Sequence, residues 1–178
     1  LALRLGGYSI VGGDKYVFEI GNSYTSQDID DWKKVLIEHG VVLRYFDILN
    51  DQLEQKFDLV ISIATIEHQN DLKRFLSSLG RLLNKNGFLY IATPNAAHLL
   101  NRVRFVFGRS TLNRENLRQF FDEGINFVGH WREYTIGELK DLFGFVGLSV
   151  ECAKTVQDRN PHFNRLSVRD IYINLLRL

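Results

Sequence analysis

The stretch KFDLVISIATIEHQNDLKRFLSSLGRLLNKNGFLYIATPN, residues 56–95, constrains the fold of this chain more than any other. Phe57 to Ile63 is a nearly continuous apolar run of strand length, the pattern of a strand covered on both faces in a parallel sheet. Leu72, Phe75, Leu76, Leu79, Leu82 and Leu83 then recur at helical spacing, so one helical face is buried. Asn70 or Asp71 is placed to cap the start of that helix, and Gly87 to end it in a left-handed conformation. FLYIATPN, residues 88–95, reads as a second buried strand. Strand, helix and strand joined by short turns make a βαβ unit, which crosses over right-handed in a parallel sheet.

The flanking sequence extends the alternation. SQDIDDWKKVLIEHG puts Ile29, Trp32, Leu36 and Ile37 on one helical face, and GVVLRYFDI follows as a strand ending at Asp47. Thr135 and Glu138 form a capping box for the helix TIGELKDLFGF. GLSVECAKTV and DIYINLL read as closing strands. The expected fold is α/β: a doubly wound, mostly parallel sheet with an antiparallel closing strand and a helical insert at 96–128. The 178 residues suffice for a single domain, 1–178, with a sizeable core.

Composition removes several alternatives. No apolar run approaches the ~18 residues of a membrane span. Cys152 is the lone cysteine, so no internal disulfide forms and a cytoplasmic protein is expected. The chain starts at Leu1 and holds no methionine, which reads as an N-terminus trimmed or incomplete. No G-x-G-x-x-G or P-loop spacing occurs. Five scattered histidines and one cysteine form no ligand-spaced set, so no metal is expected.

Residues 56–95 closely resemble the central stretch of class I S-adenosylmethionine-dependent methyltransferases, whose fold is Rossmann-like. There an FDLV-type strand leads to a short turn holding Glu-His, then a helix, a glycine-bearing turn and a strand ending in Thr-Pro-Asn. GHWREYTIGELKDLFGFVGLSV, residues 129–150, resembles the later part of members linked to glycan biosynthesis. The matches span roughly residues 41–155. GGDKYVFEIGN resembles the family's first motif, a strand followed by Glu-x-Gly and further glycines; here Gly21 stands alone and Asn22 replaces the next glycine. Asn tolerates the left-handed conformation better than most residues, so the turn survives.

By pattern Glu19 closes the first strand; by spacing to Asp47 it closes the second. The pattern reading is preferred, with a shortened or partly missing segment after the loop. In either register Glu19 sits at a strand end facing the cofactor. In open α/β sheets ligands lie beyond the carboxyl ends of the strands, where Glu19, Asp47, the Ile63–Ala64 turn and Thr93 would fall. The resemblance implies S-adenosylmethionine as cofactor, bound by Glu19, Gly21, Asn22, Asp47, Ile48, Ile63 and Ala64, with Asp47 near the adenine amine.

Methyl transfer to oxygen or nitrogen is an in-line displacement in which positioning supplies much of the catalysis, and a base is needed where the acceptor loses a proton. His68, just past the expected fourth strand, is the candidate base, with His98 and His130 as further possibilities. The turn-shaping role of Glu67 and His68 stands beside that reading. Trp131, Arg132 and Tyr134 are candidate substrate contacts; alternatively Trp131 and Tyr134 are packing anchors and Arg132 pairs with Glu133.

The insert carries Arg102, Arg104, Arg109, Arg114 and Arg118 beside Leu99, Leu100, Val103, Val106 and Phe107. Arg102 and Arg104 are candidates to hold an anionic acceptor. The same composition suits an amphipathic surface for peripheral membrane or partner contact, or a solvated helical insert. No nucleic-acid partner is expected, because no recognised RNA module is present. The expected acceptor is a small molecule or glycan. The other two readings are a non-catalytic relative with a degenerate cofactor loop and a binding module acting through the arginine-rich insert.

Overall fold

The computed structural model describes residues 6–14, 26–112, 114–124, 127, 129–156 and 170–177. They fall into two compact units, Leu1–Gln52 and Leu53–Leu178, each taken here by itself.

In the first unit, β1 (Val11–Asp14) pairs in parallel with β2 (Val42–Tyr45), with Val11 opposite Val42 and Asp14 opposite Tyr45. Helix α1 (Ser26–Glu38) lies between them in the chain. Its inward stripe is narrower than the sequence suggests. Ile29, Val35 and Leu36 are half-buried, whereas Trp32 and Ile37 are 64% and 58% exposed. The inward stripe is centred on the i, i+4, i+7 row 29–33–36, leaving positions 32 and 37 on its shoulders. Gly40, with φ of 77°, lets the Val41 N–H return to the Leu36 carbonyl at 3.0 Å and stops the helix.

The second unit holds a sheet in the order β3–β4–β6–β5, from Phe57–Ile63, Leu83–Pro94, Asp170–Arg177 and Ser149–Val156. β3 and β4 are parallel, and β6 runs antiparallel to both β4 and β5. The final strand is thus inserted between two earlier ones. Helix α2 (Leu72–Arg81) makes the β3–β4 crossover; Asp71 caps it by accepting the Arg74 N–H at 3.1 Å, and Phe75, Leu76 and Leu79 bury its face.

Two expectations are corrected here. The helix stops at Arg81 and β4 already begins at Leu83, which pairs with Phe57. Asn86, not Gly87, takes the left-handed turn with φ of 64°. Gly87 serves close backbone approach instead: a Cβ there would sit 2.9 Å from the Asn84 carbonyl oxygen and 3.0 Å from that of Phe57. β3 is also not covered on both faces. Leu59, Ile61 and Ile63, alternate residues on one face, are 46%, 43% and 58% exposed. Full burial belongs to β4, where Leu89 and Ile91 are completely enclosed.

The insert is helical, as α3 (Leu99–Val106) and α4 (Arg114–Glu123). Beyond it, Thr135 and Glu138 form the expected capping box on α5 (Ile136–Phe145), whose Leu139 and Phe143 are fully buried. No helix of the described residues is long and apolar enough to cross a membrane.

Candidate active site

At the carboxyl end of β3 the chain turns sharply. Ala64 adopts φ of 50°, and its N–H donates to the Ala92 carbonyl at 2.9 Å. The Thr65 hydroxyl donates back to the Ile63 carbonyl at 2.9 Å. A single 3-10 turn, Ile66–His68, follows. It buries Ile66 and Glu67 and leaves His68 exposed. Ile63 and Ala64 are themselves exposed at this edge.

Glu67 is 1% exposed. Its Oε2 accepts from the Thr93 hydroxyl at 2.8 Å, which ties the turn to the end of β4. Its Oε1 has no hydrogen-bond partner among the described residues. Leaving a buried acceptor unpaired costs about 1–3 kcal/mol, so this oxygen asks for an explanation. The Glu67 carbonyl accepts the N–H groups of Trp131 and Arg132 at 2.8 and 3.4 Å. That pair of bonds brings residues 129–134 alongside the Glu-His turn across more than sixty residues of sequence.

Two of the candidate bases are brought together: the His68 and His130 rings meet edge to face with centroids 4.9 Å apart. His68 Nδ1 lies 3.2 Å from the Gly129 carbonyl oxygen, and His130 Nδ1 lies 3.4 Å from Glu133 Oε1. A carbonyl or carboxylate oxygen only accepts, so each ring carries its proton on Nδ1 and, when neutral, its lone pair on Nε2. Asn101 of α3, 1% exposed, donates its Nδ2–H to Glu133 Oε2 at 3.1 Å and holds that carboxylate in place. The Glu133 hydrogen bond raises the His130 pKa above its usual value; burial opposes this, and the Glu67 and Glu133 charges add to it.

The remaining candidates are spread around this pair. Trp131 is half-buried and packs edge to face on Phe120 and Phe127, with centroids 5.7 and 5.8 Å away. Tyr134 is 2% exposed, and burial raises the pKa of its hydroxyl. The Arg132 guanidinium lies 5.6 Å from the Tyr134 ring centroid and pairs with Glu138, not with Glu133. Arg102 Nε donates to the Ala97 carbonyl at 2.7 Å, and Arg104 Nη1 donates to Asn101 Oδ1 at 3.4 Å. Arg104 therefore supports the Asn101–Glu133–His130 chain from behind.

The Glu138 carboxyl lies below its ordinary pKa, chiefly because it accepts the Thr135 N–H; burial opposes this, and the Thr135 hydroxyl and Arg132 reinforce it. The folded state therefore gains stability from this group above the ordinary carboxylate value. That gain disappears as pH falls through the lowered folded value. Urea unfolding of the wild type and Glu138→Gln between neutral and strongly acidic pH is expected to show a wild-type advantage at neutrality that vanishes at the acid end.

In the first unit, Asp47 lies two residues past β2 as the hub of a turn. Its Oδ1 accepts the Leu49 N–H at 2.9 Å and its Oδ2 the Asn50 side-chain amide at 2.8 Å, while its own N–H donates to Asp51 at 2.7 Å. Asp47 and Ile48 are half-buried. Glu19, Gly21 and Asn22 lie outside the described residues.

Sequence reasoning placed His68 and His130 but did not include Glu67, Glu133 and Asn101 among the site residues. Glu67 and Glu133 were legible as polar neighbours of the two histidines. Asn101 sits in an insert whose arginines dominate its composition, and only the fold shows its burial.

A family model described as "Methyltransferase domain" matches residues 4–153. The chain belongs to that methyltransferase domain family. Among curated proteins, a ubiquinone biosynthesis O-methyltransferase of Pelagibacter ubique is 32% identical over 91 residues, covering 50% of this chain and 34% of the relative. The protein of the same name from Bartonella bacilliformis is 25% identical over 162 residues, covering 88% of this chain and 62% of the relative. The chain thus spans only part of the length of these relatives. Among solved structures, a SAM-dependent methyltransferase of Methanosarcina mazei aligns with a TM-score of 0.65 at 15% identity, over 99% of this chain and 85% of that one. Magnesium protoporphyrin IX methyltransferase of Synechocystis PCC 6803, with bound SAH, aligns with a TM-score of 0.59 at 15% identity, over 99% of this chain and 68% of that one. At such identities these two likenesses speak to the fold, the Rossmann-like α/β arrangement of class I methyltransferases.

Proposed function

We propose that this protein transfers a methyl group from S-adenosylmethionine to a hydroxyl oxygen of a small-molecule acceptor. The observation that carries the reading is the His68–His130 pair, two imidazoles 4.9 Å apart with both Nδ1 atoms engaged and lone pairs on Nε2. The family membership and the O-methyltransferases among the relatives support it.

The residues present suit the cofactor. Ala64, in its left-handed turn, offers only a methyl group beside exposed Ile63, so the backbone edge is accessible. Asp47 would face the adenine amine, since a carboxylate oxygen accepts such N–H groups. Ile48 would provide apolar contact, and Glu19, with Gly21 and Asn22, would bind the ribose side. When bound, S-adenosylmethionine supplies a methyl group on a sulfonium whose sulfur leaves as a neutral thioether.

His68, exposed at the mouth, takes the proton of the acceptor hydroxyl as its oxygen forms the new bond to carbon. His130, steadied by Glu133, orients the acceptor and stabilises the transient charge. Trp131 and its aromatic neighbours form an apolar wall suited to a ring or chain on the acceptor. The ubiquinone-related relatives favour a small molecule over the glycan suggested by residues 129–150.

Incubating the protein with methyl-labelled S-adenosylmethionine and a panel of phenols, catechols and sugars tests this reading. Label transfer to oxygen of a phenolic acceptor is the expected result. Binding of the cofactor with label transfer only to sugars would favour the glycan reading.

A second reading concerns the insert. Val106, Phe107 and Phe121 are 82%, 76% and 83% exposed among arginines, a surface suited to an anionic membrane. Co-sedimentation with anionic vesicles at low salt is expected, and its absence would remove this role.

A further inference from the structure

We propose that Glu67, His68 and His130 form a binding site for a divalent first-row transition-metal cation. One ligand atom from each, a carboxylate oxygen and two imidazole nitrogens, lies within 4.8 Å of the others. Sequence spacing hides this set, because His130 reaches the Glu-His turn only through the bonds from Trp131 and Arg132 to the Glu67 carbonyl.

Three independent features point to a ligand. The first is the orphaned Glu67 Oε1, on a side chain 1% exposed, whose other oxygen is already fixed by Thr93. A buried acceptor without a partner has a ready explanation in a cation. The second is the outer ring of partners. Metal-bound histidines usually donate their other nitrogen's proton to a carbonyl or carboxylate, and here Gly129 and Glu133 accept from the two Nδ1 atoms. Asn101 then holds Glu133 as ligating groups are held in such sites. The third is access: three protein ligands leave coordination positions open, and His68 lies exposed at the rim.

The donor set selects the cation class. Two imidazoles and one carboxylate suit Zn²⁺, Co²⁺ or Fe²⁺, whereas Mg²⁺ and Ca²⁺ prefer all-oxygen shells. Tetrahedral ligation at about 2.0–2.2 Å would bring the ligand atoms to about 3.4 Å apart, a distance side-chain rotation of His68 and His130 can reach.

The role of the cation rests on the methyl-transfer reading, although its binding does not. A cation and a proton compete for the same Nε2 lone pairs. Where the cation bound, it would act as a Lewis acid toward the acceptor oxygen and lower the pKa of the hydroxyl, which would release its proton to solvent water. The histidines would then hold the cation rather than take the proton themselves.

The test is a titration of the full chain with Co²⁺, followed by its visible absorption, and with Zn²⁺ in competition. One Co²⁺ per chain is expected, displaced by Zn²⁺ and weakened at least tenfold in His68→Ala, His130→Ala and Glu67→Gln. His39→Ala, on an exposed histidine of the first unit, is expected to bind as the wild type does. Circular dichroism of each variant separates lost binding from lost folding, and the two histidine variants carry the test should Glu67→Gln fail to fold. Absence of saturable binding by the folded wild type, or unchanged binding in the folded histidine variants, would overturn the site. A parallel titration with S-adenosylmethionine keeps the two ideas apart. Cofactor binding without Co²⁺ binding removes the metal site alone, and Co²⁺ binding without cofactor binding leaves the site standing while methyl transfer fails.

Discussion

Replacing His68 with alanine is expected to slow methyl transfer by about 10²–10⁴-fold, the usual worth of a positioned acid–base group. The side chain is exposed, so folding should be nearly untouched. A loss of rate with a native circular dichroism spectrum and unchanged cofactor affinity is the expected pattern. Because the cofactor is assigned to other residues, the defect should appear in kcat more than in the KM for S-adenosylmethionine. Full activity in the alanine variant would remove His68 from the chemistry, whether as base or as ligand.

Phe143→Ala is expected to destabilise the second unit by about 3–5 kcal/mol, through lost apolar burial and the cavity left behind. Phe143 is completely buried on α5, beside equally buried Leu139. The backbone there is already committed: the Leu148 N–H returns to the Phe143 carbonyl at 3.0 Å, and Gly147, with φ of 79°, turns the chain toward β5. A helix fixed at both ends has little freedom to collapse into the void. Urea unfolding monitored by circular dichroism measures the effect. A change below about 1 kcal/mol would mean that the site relaxes fully.

The parts of the fold that the sequence made legible are those in which local and tertiary signals agree. The apolar spacing of residues 72–79 and the Asp71 cap both specify α2, and the Thr135–Glu138 pair specifies the start of α5. Reading failed where a tertiary contact overrode a local habit. Gly87 looks like a helix stop, yet its lack of a Cβ serves the approach of the Asn84 and Phe57 carbonyls. The run Phe57–Ile63 looks buried because it is apolar, but its alternate side chains face outward.

At the candidate site, the histidines were legible as the residue type that moves protons near neutrality. Their company was not. Glu67 becomes notable only once burial shows an oxygen without a partner, and Glu133 and Asn101 only once α3 and residues 129–134 lie side by side. Arg132 pairs with Glu138 rather than its neighbour Glu133 because the capping box holds the Glu138 carboxylate at the helix start.

The most direct test of the central claim is titration calorimetry of the cofactor-stripped, full-length protein with S-adenosylmethionine and S-adenosylhomocysteine, alongside Glu19→Ala. The account predicts binding of both ligands, weakened at least tenfold, ~1.4 kcal/mol, by the substitution. No binding of either ligand by the folded protein would contradict it and leave a methyltransferase-like chain that has lost its cofactor.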